Sequence, residues 1–217
     1  MPSFAPFNSF AKKPKCLGAS TLALQLITKK LGIEMELVSY PYARILHNLK
    51  SATLDLALIF KNSSISNDID YIGPVSYSKI VVASQNNISV KSYADLKNLK
   101  NIAVIRNAEF NSDFDNDKSL HKVSVDSYQQ AIRMLKHKRV DAVIGSLVGI
   151  DYALQQQNMS KNILQNALYI SKKEWGLHIS KSSQFQSLLP ALKKAVQQTY
   201  QEDLIYQLYQ QQLKTCL

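Results

Sequence analysis

The chain has 217 residues, of which 46% are hydrophobic, and carries a net charge of +10. That length holds one large domain or two small ones with substantial cores. Its basic residues are spread from Lys12 through Lys50, Lys100 and Lys138 to Lys193 with no nucleic-acid module beside them, the pattern of a solvated basic surface and not of a nucleic-acid binder. No apolar run reaches the roughly 18 residues of a membrane span, and no basic start followed by an apolar stretch marks a signal peptide.

A loop with aromatic punctuation, Phe4 to Phe10, precedes the first helix. Ser20 or Thr21 caps that helix, Leu22, Leu24, Leu26, Ile27 and Leu31 form its apolar set, and Gly32 supplies a left-handed stop. Alternation from Ile33 to Val38 predicts a strand, Pro41 and Tyr42 open a second helix through Leu49, and Leu54 to Phe60 predicts a buried strand. Lys61 to Asp68 reads as a polar loop at that strand's carboxyl end. The β-branched run Ile80 to Ser84 is expected to cross between lobes. Beyond it, Ser92 caps a short helix, and Ile102 to Ile105 and Lys122 to Val125 are strands. Asp126 and Gln129 suggest a capping box for the next helix. A strand from Asp141 to Ile144 and a helix from Val148 to Gln157 follow. Leu168 to Ser171 and Trp175 to Ile179 are extended, with a return crossing near Ser171 to Glu174. Two helices, from about Ser183 to Tyr200 and from Asp203 to Leu213, close the chain; Pro190 either kinks the first or marks its start.

One phrase occurs twice. Leu49, Lys50 and then Leu54-Asp55-Leu56-Ala57-Leu58-Ile59 are echoed in the same register by Leu135, Lys136 and then Val140-Asp141-Ala142-Val143-Ile144. In each copy an amphipathic helix ends in a basic turn and an Asp opens an apolar strand of the kind buried in a parallel sheet. Two such units imply two α/β lobes. The expected boundaries are residues 1–84 plus 174–217 for a lobe built from both termini, and 85–173 for a continuous second lobe.

Cys16 and Cys216 either pair, in an oxidising compartment, or stand as two free thiols. The histidines His47, His121, His137 and His178 have no metal-ligand spacing. Gly145-Ser146 lacks the frame of a nucleophile elbow, and with six glycines no phosphate-cradling loop is present. No cofactor and no catalytic set is expected.

Several segments carry a resemblance. Phe4-Ala5-Pro6-Phe7, Leu31 to Val38, Tyr40-Pro41-Tyr42-Ala43-Arg44, Ile69 to Val75, Ser92 to Lys97 with Ile102-Ala103-Val104, and Arg139 to Ile144 occur in the order found in the bacterial extracellular solute-binding proteins of family 3. The resemblance covers nearly the whole chain. It implies the type II periplasmic binding fold: two lobes, each a mostly parallel sheet flanked by helices, joined by two crossover strands. It also implies a monomer, periplasmic or secreted, that closes on a small polar ligand in an interlobe cleft and is read by an ABC permease or a membrane sensor. Alternatives on the same fold are a sensing domain and a cyclohexadienyl dehydratase, for which Glu109 is the nearest acid.

The chain departs from the amino-acid binders of that family. They hold a ligand carboxylate with an Arg in the loop before Ile69, and between Lys61 and Ile80 this chain has none. They hold the ammonium with an Asp where Gly145 and Ser146 stand, and Asn107-Ala108 replaces a Gly followed by Ser or Thr. The family's first strand also has no counterpart before Pro2. An ordinary α-amino acid is therefore not the expected ligand, unless Arg44 or Arg106 supplies the carboxylate clamp. The resemblance places Phe7 and Tyr42 as aromatic walls, with core packing as the alternative. Phe60, Asn62 and Ser63 lie past a strand's carboxyl end, where open α/β sheets bind ligands. Tyr77, Arg106, Asn107 and Ser146 complete the candidate set.

Overall fold

A computed structural model describes residues 1–10, 16–62, 65 and 67–216. The chain divides into two compact units, Met1–Ser78 with Glu174–Leu217, and Lys79–Lys173. Two long strands, β2 (Ile69–Ser84) and β6 (Leu168–Ser180), carry it from the first unit into the second and back. Both were legible only in pieces: β6 runs unbroken through the expected crossing at Ser171 to Glu174, a stretch that holds no glycine or proline to turn the chain.

In the first unit α1 (Ala19–Leu31) ends as expected, with Gly32 at φ 67° and its N–H donated to the Thr28 carbonyl at 3.0 Å. Glycine takes that conformation without a Cβ clash. The helix packs against α7 (Leu189–Thr199) and α8 (Leu204–Cys216). Pro190 falls in the first turn of α7, so it marks a start and not a kink. Helix α2 (Tyr42–Lys50) leads to β1 (Leu56–Phe60), which pairs antiparallel with β6 from Leu56↔Ile179 to Phe60↔Trp175. Residues Ile33 to Val38 form no strand, a correction: alternation alone did not supply a pairing partner. Parallel pairing in this unit, among the described residues, is reduced to the bridge between Pro2 and Tyr40.

In the second unit the strands are ordered β2, β5 (Ala142–Ser146), β3 (Ile102–Ile105) and β4 (Lys122–Val125). β3 pairs parallel with both β4 and β5, whereas β2 meets β5 antiparallel. Every residue of β5 is buried, which explains its unbroken apolar run. A 3-10 helix, Tyr93–Asn98, has the Ser92/Asp95 capping box. The short helices α3 (Ser112–Asn116) and α6 (Asn162–Gln165) were not foreseen. Helix α4 (Tyr128–Lys136) is capped by Ser127, whose Oγ accepts the Gln130 amide, while the Asp126 amide donates to the Gln130 side chain. The cap thus lies at Ser127, one residue beyond the expected Asp126, and the side chain that reaches back is Gln130, whose bond goes to the amide before the cap residue. Helix α4 packs on α5 (Leu147–Gln156) and β5.

Cys16 and Cys216 form a disulfide. It ties the segment just before α1 to the last turn of α8, and both cysteines are buried.

Candidate functional site

In the first unit the loop Phe4 to Phe7 is anchored on the start of α1. The Phe7 carbonyl accepts the Ser20 and Thr21 amides at 3.0 and 3.3 Å, so the helix N-terminus fixes the backbone of the aromatic loop. The Phe7 ring lies 5.0 Å from that of Trp175, and Phe60 lies 4.4 Å from the same indole. Trp175 donates its Nε1–H to Ser78 Oγ at 2.8 Å. Phe7 and Phe60 are 1% and 5% exposed, so their packing partner in this structure is Trp175, at distances usual for aromatic pairs. Trp175 was not among the sequence candidates. Tyr42 and Asn62 are buried, and Arg44 is exposed with its guanidinium 5.2 Å above the Tyr40 ring. Ser63 lies outside the described residues.

A polar cluster next to these rings was missed, apart from Tyr77. Glu174, on β6, accepts hydrogen bonds from two phenols of β2: Tyr71 donates to Oε1, and Tyr77 donates to Oε2 at 2.6 Å. Gly176 makes this possible, since a Cβ there would fall 2.3 Å from Tyr71 Cε2. Lys61, the residue after β1, donates its amide to the Glu174 carbonyl at 2.9 Å. Its Nζ stands 3.8 Å from Glu174 Oε1 and 4.5 Å from the Tyr71 ring centroid. Burial pushes the Glu174 carboxyl up, but the two phenol hydrogen bonds and the Lys61 ammonium outweigh it and leave the group below its usual range. The bond to Glu174, with burial, pushes Tyr77 up to about 12. Burial and the bond to the same carboxylate raise Tyr71 further. The cluster is therefore one anion held by two neutral phenols with a cation beside it. The signal available in sequence was the period-two placement of Tyr71 and Tyr77 on one face of β2.

In the second unit Ser146 is a structural cap: its Oγ accepts the Gly149 amide at 3.2 Å and its own amide donates to the Tyr128 hydroxyl at 2.9 Å. A Cβ on Gly145 would lie 2.1 Å from Tyr128 Cε1. The missing acid at this position thus has a steric cause, because the Tyr128 ring occupies the space a side chain would need. Asn107 adopts φ 59°, a left-handed turn that asparagine tolerates better than most residues, in place of the family's glycine. Arg106 pairs with Asp126 at 3.1 Å, both side chains being more than half exposed. Burial lowers the Lys173 ammonium, against the opposing charges of Glu109 and Asp115. A depression of about 490 Å³ in this unit is lined by Ser84, Gln85, Lys91, Gln165 and Tyr169 among others, and includes none of the expected site residues.

Among the described residues no group of three or more His, Cys, Asp or Glu could hold a metal ion, and no helix is long and apolar enough to cross a membrane.

Comparison with known proteins agrees with this fold. The chain is 22% identical over 204 residues to the virulence sensor protein BvgS of Bordetella pertussis, an alignment that takes in 93% of this chain and 16% of that protein. The chain thus spans about a sixth of the length of this curated relative. An ancestral arginine-binding protein bound to arginine superposes with a TM-score of 0.75 at 21% identity, covering 97% of this chain and 94% of that one. The amino acid ABC transporter substrate-binding protein AbpA of Streptococcus pneumoniae, bound to L-arginine, gives 0.74 at 20% identity, covering 98% and 92%. The family model for bacterial extracellular solute-binding proteins, family 3, matches residues 1–215, and the chain belongs to that family.

Proposed function

We propose that this solute-binding protein captures one small polar solute outside the cytoplasm, in the periplasm or in secreted form, and delivers it unchanged to an ABC permease. The observation that carries this reading is the family match along the whole chain. The name of AbpA supports the transport branch. Of the expected ligand-binding residues, Tyr77, Arg44, Arg106 and Asn107 present polar or charged groups with some exposure, and we assign solute contacts to these first. Phe7, Tyr42, Phe60 and Asn62 support them from the first unit, and Ser146 holds the start of α5 in the second.

The similarity to BvgS favours a second reading, in which the chain is the ligand-sensing part of a signalling system. Ligand capture is common to both, because a solute shifts a conformational equilibrium only by its preference for one state. A thermal-shift screen against amino acids, polyamines, small acids and oligopeptides tests it. A solute at 100 times its Kd adds about 2.7 kcal/mol, so a clear rise in Tm with at least one class is expected. A flat panel, or turnover of prephenate or arogenate, would overturn the reading.

A further inference from the structure

From the first unit we infer that the Glu174 carboxylate and the Tyr71 ring form a seat for the cationic group of an organic solute, an ammonium or a guanidinium, which takes the place of the Lys61 ammonium there. The inference rests on the solute-binding reading above and specifies the chemistry of its ligand. Three observations meet at this point. The carboxylate has only 18% of its side chain exposed, and its two phenol donors, Tyr71 and Tyr77, fix its orientation. They stabilise the ionised form and leave acceptor capacity, since a carboxylate has about four lone-pair sites. The face of the Tyr71 ring adjoins it, and a cation over such a face gains from the ring quadrupole. A cation already stands there: Lys61 Nζ is 4.5 Å from the ring centroid and 3.8 Å from Oε1.

Lys61 is a weak tenant. Its side chain is 58% exposed and its Nζ is beyond hydrogen-bond distance of the carboxylate. Ion pairs of this kind contribute little in water, so a solute cation that hydrogen-bonds Glu174 directly displaces the lysine at small cost. A guanidinium fits best, because its planar fork matches a carboxylate and its flat face stacks on a ring.

The test is calorimetric titration of the full chain with L-arginine, putrescine and glutarate. At least one of the two cationic probes should bind, Glu174→Gln should weaken it at least tenfold, and Lys61→Met should leave it unchanged or tighten it. Lys61→Met carries the test even if Glu174→Gln fails to fold. Binding of a cationic probe that is unaffected by Glu174→Gln, or lost in Lys61→Met, overturns the inference. Tight binding of glutarate alone overturns it too while leaving solute capture intact. Failure of all three, with a neutral solute raising Tm in the screen, also overturns the cation seat alone; failure everywhere removes both.

Discussion

Ala52 and Lys138 hold the same place in the two repeated units, and both turn left-handed at φ 55°. Each follows a helix that ends in lysine, α2 at Lys50 and α4 at Lys136, and each precedes the Asp before a buried strand. Those aspartates also act alike. The Asp55 carboxylate accepts the Ser183 hydroxyl at 2.6 Å, and that of Asp141 accepts the Lys100 amide at 2.6 Å. Their carbonyls accept the Ser180 and Gln85 amides. The duplication visible as a phrase in the sequence thus extends to backbone conformation and to a shared locking role.

A left-handed residue with a Cβ costs roughly 1–2 kcal/mol, part of which glycine returns to the unfolded state as entropy. Ala52→Gly and Lys138→Gly should therefore each stabilise the protein by about 0.5–1 kcal/mol. Urea unfolding checks this, and a loss of stability in both variants would contradict it.

Gly145 and Tyr128 set the opposite constraint. Gly145→Ala forces the alanine methyl into the Tyr128 ring and should cost about 1–3 kcal/mol by overpacking. Tyr128→Phe leaves the buried Ser146 amide without its acceptor, at about 1–3 kcal/mol. Denaturant midpoints of the two variants and their double mutant measure both effects. The double mutant should fall short of additivity because the two residues touch.

The Cys16–Cys216 disulfide closes a loop spanning 200 positions. In the chain-entropy account a loop of that length contributes about 5 kcal/mol. Non-reducing mass spectrometry after alkylation should find no free thiol, and Cys216→Ser should lower Tm sharply. Two alkylated thiols in the native protein would contradict the bond.

His178 should make stability depend on acidity. Burial lowers its pKa from 6.5 to about 4, while its ring stacks edgewise on Tyr71, its Nδ1 faces the Gly176 carbonyl at 3.0 Å, and the charges of Lys61 and Glu174 lie near. The unfolded chain then binds a proton more readily than the folded one. This contribution is fully present above about pH 6.5, falls as pH drops toward 4, and amounts to about 3 kcal/mol. His178→Gln should flatten stability across that window; an unchanged slope would contradict the assignment.

The sequence disclosed what depends on local pattern and composition: the buried strands from Leu56 and Ala142, the stop at Gly32, and the paired units. It did not disclose interactions that need two distant segments. The Tyr77–Glu174 bond spans 97 positions and the Trp175–Ser78 bond another 97. Nothing in the run Lys172-Lys173-Glu174-Trp175 says that the acid faces two phenols or that the indole gathers Phe7 and Phe60. The strand expected at Ile33 to Val38 failed for a related reason, since alternation reports a half-buried face but not the neighbour that would pair with it.

Solute capture is tested most directly by calorimetric titration of the purified chain with the solute that gives the largest rise in Tm. The account predicts saturable heat with one solute per chain, and the solute recovered unaltered. A titration without saturable heat, or a solute recovered as a different compound, would contradict it.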